Sequence, residues 1–597
     1  MKTNLTPEQS QKLKKVLKKI FHQKANKSLF NRFQKVIQAY LKKHKIDPGQ
    51  SKKYQAHKRL SQKTAIFITY ADLILKQNQK HFQALDRFAN QYLKNKFDTI
   101  HILPFYPYSS DRGFSVLDYE KVNPSAGDWT HVKKLGKNFK LMFDFVLNHM
   151  SAQGKWFKMF LDQKPGFENF FIHFKTKNAI SKKDLSKILR PRVSPLLTKF
   201  KAKKRDIYVW TTFSADQVDF DYREPNVLLQ MTKVMLLYLE KGLDFVRLDA
   251  TTYVYKQLGT NCAHRPEAHA IVKYFRVLFD IIKPNATIVN ETNVPHHDNI
   301  SYFGNGYDEA QMVYNFPLPP LTMHTFIKGD CTKLANWAKT LSKPSPVTAY
   351  FNFLDSHDGF GVLPAKGILT DQEIKNLVKE TLIRGGLVNY RTESDGSQVP
   401  YELNITLYSF LNPQNSKDTE EIKIKKHLAA RALALSLRGV PGVYFHGLIG
   451  STNDKPHALE TGINRDINRE NLKQEDLQDV LENKKSRRSR IFNTFLKILT
   501  IRSKEIAFHP AGGQKIILQN KAVFSLIRTS PDKKQKILCL INITNKAQTI
   551  KIDKDFYLEN AQSLKELISG KSIGLKSSYI LFKLEPYQTS WWKVISK

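Results

Sequence analysis

Phe245-Val246-Arg247-Leu248-Asp249-Ala250 is the stretch on which the fold of this chain turns. Its apolar residues read as a buried strand that delivers a carboxylate at its end and an arginine two residues earlier. Alternation along a strand puts residues i and i+2 on one face, so Arg247 and Asp249 point the same way. An arginine beside a carboxylate orients it and holds it ionised, which is the state a nucleophile needs. Taken alone, the hexapeptide fits a structural salt bridge at a strand end equally well. Two more apolar runs that end in acids shift the balance. Ile288-Val289-Asn290-Glu291-Thr292-Asn293 presents Glu291, and Phe351-Asn352-Phe353-Leu354-Asp355-Ser356-His357-Asp358-Gly359 presents His357 and Asp358.

Outward from these runs, short apolar strands alternate with helical stretches, as βα units require. The strands are expected at Ala65–Tyr70, Thr99–Pro104, Leu141–Leu147, Asp244–Leu248, Thr287–Asn290, Met312–Asn315, Ala349–Leu354 and Gly442–Phe445. Eight such strands make a (β/α)₈ barrel, whose strand ends converge on one mouth. Residues 150–212, rich in Phe, Lys and Pro, are too long for an ordinary βα loop and read as an inserted subdomain after the third strand. Two amphipathic helices are expected over residues 8–44, with Leu13, Val16, Leu17, Ile20 and Phe21 on one apolar stripe. Such basic helices can lie on a membrane surface or pack on the barrel. After about Pro510 the alternation becomes all-β and suggests a C-terminal sandwich. The expected division is a basic helical extension (1–60), barrel (61–149 and 213–510) interrupted by the insert (150–212), and an all-β domain (511–597).

The chain has 597 residues and a composition of globular type, 41% hydrophobic and 11% aromatic. No apolar run approaches the roughly 20 residues that span a bilayer, and the N-terminus lacks the apolar core of a signal peptide. Three scattered cysteines suit a reducing compartment, so a cytoplasmic location is expected. Ninety-five Lys and Arg against 54 Asp and Glu give a net charge of +41. Residues 1–63 carry 18 of those cations against Glu8 and Asp47 alone. A chain this basic attracts anions non-specifically; lysine bias on solvated faces and an interaction role for the N-terminal segment are both open readings. No metal-ligand spacing, phosphate-cradling Gly-rich loop or Ser/His/Asp pattern is present, so no metal and no cofactor is expected.

With Asp144-Phe145-Val146-Leu147-Asn148-His149, the three acidic segments resemble the signature strands of the α-amylase clan of retaining α-glycosidases and transglycosylases, in that family's order. The resemblance implies a TIM barrel in which Asp249 is the nucleophile, Glu291 the general acid/base and Asp358 a holder of substrate hydroxyls. Retaining chemistry sets its two carboxyls about 5–5.5 Å apart. His149 and His357 match the family's sugar-binding histidines. Ser110-Asp111-Arg112-Gly113-Phe114-Ser115-Val116-Leu117-Asp118-Tyr119 resembles the loop that grips the donor glucose, with Asp111 on ring hydroxyls and Phe114 as an apolar platform. Further tracts, including His101-Ile102-Leu103-Pro104-Phe105-Tyr106-Pro107 and Arg465-Asp466-Ile467-Asn468-Arg469, look like the sucrose phosphorylase branch. Where sucrose phosphorylases tend to carry Tyr-Gln, this chain has Tyr401-Glu402, a form most like the glucosylglycerate phosphorylases. That branch implies Tyr401 and Arg465 on the phosphate or acceptor side, with His296 a weaker candidate. It also implies a small α-glucoside and inorganic phosphate as partners, α-glucose 1-phosphate as product, and a covalent glucosyl-enzyme. Specific nucleic-acid binding is not expected. A hydrolase or transglucosylase of the same clan is the alternative; a non-catalytic binding protein is disfavoured because nucleophile and acid are both present. Asp355 stands where the family pattern suggests a small residue.

Overall fold

The computed structural model describes residues 4–49, 58–393 and 397–596. Residues 50–57, where the basic extension is expected to meet the barrel, lie outside the described set. Eight strands close into a barrel: β1 (Ile66–Thr69), β2 (Thr99–Ile102), β3 (Lys140–Val146), β4 (Leu243–Asp249), β5 (Thr287–Asn290), β6 (Met312–Tyr314), β7 (Ala349–Asn352) and β8 (Val440–Tyr444). Each strand pairs in parallel with its sequence neighbours, and β8 returns to β1. These are the eight positions expected from the sequence. Parallel strands are covered on both faces, which is why they read as unbroken apolar runs. Register matters at one point above all: Arg247 of β4 lies opposite Asp144 of β3 and Val289 of β5.

The outer layer begins with α1 (Pro7–Phe21) and α2 (Lys27–Lys43). Thr6 and Gln9 form a capping box that starts α1, and Asn26 caps α2. The stripe of Leu13, Val16, Leu17, Ile20 and Phe21 is buried, as are Phe33, Ile37 and Leu41 of α2. These faces seat on α3 (Pro225–Glu240) and α4 (Pro266–Ile282), with Phe33 edge-on to Tyr274 at 5.6 Å. Both helices therefore belong to the barrel's outer layer. Burial of each large side chain there contributes about 1.5–3 kcal/mol.

Past β3, His149–Ser151 pairs antiparallel with Gln217–Asp219, and a three-stranded sheet follows in the order His173–Phe174, Asp206–Trp210, Leu197–Lys201. A second small sheet, Phe360–Gly361, Gln398–Asn404 and Leu387–Thr392, stands between β7 and β8. It was not foreseen from the sequence. At the C-terminus a six-stranded antiparallel sheet and the two-stranded ribbon Gln548–Asp553/Tyr579–Leu584 share a core of Leu538, Leu540, Ile552, Phe582 and Trp592. Among the described residues no helix is long and apolar enough to cross a membrane.

Candidate active site

The C-terminal ends of the barrel strands open into one cleft of about 730 Å³, its mouth included. Asp111, Phe114, His149, Arg247, Asp249, Glu291, His357, Asp358, Tyr401 and Arg465 all line it. Asp249 is the last residue of β4, Glu291 follows β5 directly, and Asp358 lies six residues beyond β7. Segments far apart in sequence therefore meet because they occupy equivalent ends of neighbouring strands.

Arg247 organises the acids. Its Nη1 donates to Asp249 Oδ1 at 2.7 Å and to Asp144, while its Nη2 lies 3.7 Å from Glu291 Oε2. Asp144 is fully buried and is held on its other side by His101 Nε2 at 2.7 Å. Burial works against its charge, but Arg247 and His101 outweigh it and keep this carboxyl below the usual range. Asp249 and Glu291 behave differently. Burial pushes Asp249 up to about 8 against the pull of Arg247, with Glu291 adding repulsion. Burial also raises Glu291, less the pull of Arg247. Arg247 alone therefore does not set the charge on Asp249, because desolvation exceeds the arginine's effect. The two carboxyls share one site that favours a single proton. The direct hydrogen bond to Asp249, against 3.7 Å to Glu291, assigns the negative charge to Asp249 and the proton to Glu291.

Backbone strain aims the same groups. Ala250 has φ 52° and ψ 33°, a left-handed conformation unusual for alanine, and its N–H points at Glu291 Oε2, 3.3 Å away. Asp111, Arg112 and Gly113 are consecutive left-handed residues with φ of 51°, 46° and 107°. Arg112 holds this turn by donating to the Arg469 carbonyl at 2.7 Å and to Asp72 at 3.2 Å. Gly113 fits because a Cβ there would sit 2.5 Å from the Pro104 carbonyl. The turn delivers Phe114, which stacks on His357 at 5.0 Å and lies beneath Arg247. His357 is driven well below its ordinary pKa by burial and by Arg247 and Arg469, so it faces the cleft neutral. Burial brings His149 down to about 4, and its Nε2 reaches the Phe114 carbonyl at 3.2 Å.

On the opposite wall Arg465 grips Glu402 with two donors at 3.0 Å each and Asp358 at 2.7 Å. Glu402 is fully buried and takes a further bond from Asn389 at 3.0 Å. Tyr401 is buried and its hydroxyl is pushed up to about 12, so it remains a donor. His296 does not line the cleft; it stacks on Tyr350 at 6.2 Å and sits edge-on to Trp337. Asp355 turns away into a fork with Arg431, against Gly447, where a side chain would clash. It does not line the cleft.

A family model for the α-amylase catalytic domain matches residues 90–381. A glucosylglycerate phosphorylase from Allomeiothermus silvanus is 43% identical over 531 residues, 89% of this chain and 91% of the relative. The chain belongs to the α-amylase-family glycoside phosphorylases. A glucosylglycerate phosphorylase from Escherichia coli (strain K12) is 39% identical over 90% of this chain and 93% of its own length. Among solved structures, sucrose 6F-phosphate phosphorylase from Thermoanaerobacter thermosaccharolyticum superposes with a TM-score of 0.70 at 25% identity, covering 81% of this chain and 94% of that one.

Several cleft residues of this phosphorylase escaped the sequence reading. Arg192, Phe213 and Gln217 reach it from or beside the insert, and Gln217 Nε2 donates to Asp111 at 3.1 Å. Arg192 lies over the rings of Tyr401 (5.3 Å) and Phe213 (5.8 Å). Among the described residues it has no carboxylate partner. Lys256 is buried behind the site, where it donates to Asn148 and pairs with Asp219. A lysine seven residues past Asp249 in an otherwise uncharged turn was the available signal. Among the described residues no cluster of His, Cys, Asp and Glu is arranged to hold a metal ion.

Proposed function

We propose that this enzyme transfers a glucosyl group from a small α-glucoside to inorganic phosphate, with glucosylglycerate the first-ranked donor and sucrose the second. Asp249 attacks the anomeric carbon as the glycosidic C–O bond breaks, and Glu291 gives its proton to the leaving oxygen. A phosphate oxygen then attacks the glucosyl ester from the opposite side. α-Glucose 1-phosphate forms, Asp249 is released as carboxylate, and Glu291 recovers a proton from the incoming phosphate. Asp358, held by Arg465, grips sugar hydroxyls with His149, His357 and Asp111, while Phe114 lies against the ring.

The observation that carries this reading is the unequal hold of Arg247 on the two acids, 2.7 Å to Asp249 and 3.7 Å to Glu291. It supports opposite protonation of otherwise similar carboxyls, the requirement of acid and nucleophile. For phosphate and a glycerate leaving group, Arg192 is the favoured cation. Both arginines border the catalytic cleft and the adjoining outer groove, but Arg465 is already committed to two carboxylates, whereas Arg192 has none among the described residues. The sequence reading placed Arg465 and Tyr401 on the phosphate or acceptor side; we assign the anion to Arg192 and leave Arg465 to hold Asp358. A reducing, cytoplasmic setting suits the three buried, unpaired cysteines. We also keep residues 150–212 as the unit that overhangs the site and 511–597 as the C-terminal domain.

The test is a donor panel of glucosylglycerate, sucrose, sucrose phosphate and glucosylglycerol, assayed with and without inorganic phosphate. Phosphate-dependent release of α-glucose 1-phosphate is expected, fastest from glucosylglycerate. Glucose as the sole product with every donor would leave a hydrolase in its place.

A further inference from the structure

Helices α1 and α4 enclose a second cleft of about 1320 Å³, open mouth included, which shares no lining residue with the catalytic one. Lys15, Lys18, Lys19 and His22 line one side of it. The three lysines recur at i, i+3 and i+4 and share one face of α1, and His22 follows as its C-cap. Among the described residues none of these three lysines has a carboxylate partner. The facing wall is polar and more enclosed. Glu309, 3% exposed, accepts from His269 Nδ1 at 2.8 Å and lies 3.3 Å from Lys273. Glu267, 7% exposed, meets His22 Nε2 at 3.1 Å through Oε1. Its Oε2 is buried without a hydrogen-bond donor, the nearest cation being Arg265 Nε at 3.7 Å.

Two demands thus face each other across one cleft. Three unpaired ammonium groups call for an anion with several oxygens. A buried carboxylate oxygen without a donor calls for a hydroxyl, and it repels a ligand that is anionic throughout. We infer that this cleft binds a small phosphorylated polyol, with the phosphate on Lys15, Lys18 and Lys19 and a hydroxyl donating to the Glu267 carboxylate. The proposed reaction needs no such site, so the inference goes beyond it. The occupant would touch His264, whose N–H donates to the Thr252 carbonyl at 3.1 Å, and Thr252 lines the catalytic cleft. Between Asp249 and α4 the chain includes three left-handed residues, Ala250, Cys262 and His264.

The test is titration calorimetry of the full chain with glucose 6-phosphate at fixed ionic strength, with glucose and inorganic phosphate as separate probes. Saturable binding of glucose 6-phosphate is expected, at least about tenfold tighter than either fragment. The combined Lys15→Gln, Lys18→Gln and Lys19→Gln variant should weaken it about tenfold or more, and Glu267→Gln about threefold. Glucosyl transfer measured without the probe should match the parent in the lysine variant, which separates this result from any failure of the catalytic reading. Three outcomes would overturn the site: no saturable binding, an isotherm indifferent to the lysine changes, or equal weakening by Lys133→Gln, Lys137→Gln and Lys233→Gln elsewhere on the surface. A DNA duplex that binds as tightly and loses affinity in the same variant would replace it with a polyanion surface.

Discussion

Asp249 carries both the chemistry and a cost. Asp249 and Glu291 keep one proton between them, which burial and their mutual repulsion hold up to about 8, above an unfolded carboxyl value of about 3.9. A group raised in this way supports folding fully below the unfolded value, and that support is lost as pH rises through the folded one. Asp249→Asn removes the buried charge, while Arg247 keeps Asp144 as its partner. The variant should lose glucosyl transfer by on the order of 10³-fold or more. Its melting temperature relative to the parent should climb between about pH 4 and about 8. A difference that stays flat across that range, or surviving activity, would remove Asp249 from the role given to it. A second expectation concerns Arg192. Arg192→Ala should raise KM for phosphate and for anionic glucosylglycerate about tenfold, and leave KM for neutral sucrose nearly unchanged. Equal effects on all three substrates would mean the side chain only packs. Asp249, Glu291 and Asp358 were legible in the sequence because each ends an apolar run. Arg192 was not, because it sits in a stretch with neither periodicity nor strand ends to frame it. Nor could the sequence say that Arg465 would be spent on Glu402, since that pairing depends on a fold-back of Leu387–Thr392 and Gln398–Asn404 against Asn464–Asn468.

Elements decide how firmly these residues are aimed. The turn at Asp111–Gly113 is pinned by three left-handed residues and by a glycine pressed against the Pro104 carbonyl. Gly113→Ala would force the turn outward and take Phe114 off His357 and Arg247. We expect kcat/KM for glucosyl donors to fall about tenfold or more while the thermal unfolding midpoint moves by a few degrees. Unchanged kinetics would show that this turn does not shape the glucose-binding half. The barrel strands were readable because strands covered on both faces are continuous apolar runs of the right length. The small sheet of Phe360–Gly361, Leu387–Thr392 and Gln398–Asn404 was not, because its strands are part-exposed and mixed in composition.

For the whole molecule, the basic N-terminal helices are structural despite their charge. Leu13, Leu17, Ile20 and Phe33 are at most 2% exposed, so removal of residues 1–49 would lay bare the outer faces of α3 and α4. The truncated chain should melt markedly lower and aggregate, each lost large side chain costing about 1.5–3 kcal/mol. Scanning calorimetry with light scattering would check this, and an unaltered midpoint with a clear solution would contradict it. The amphipathic spacing exposed these helices in the sequence; what they pack against required the fold. One property of the barrel reaches further. Its strands run round the ring in the order of the chain, so each wall of the cleft hangs from its own station. The half proposed to grip glucose hangs from the stations after β2, β3, β4, β5 and β7, and the half proposed for phosphate and the leaving group from two longer excursions, with Arg192 between β3 and β4 and Tyr401 between β7 and β8. A descendant, or a designer, can re-tailor the second half for a new acceptor without rethreading the first.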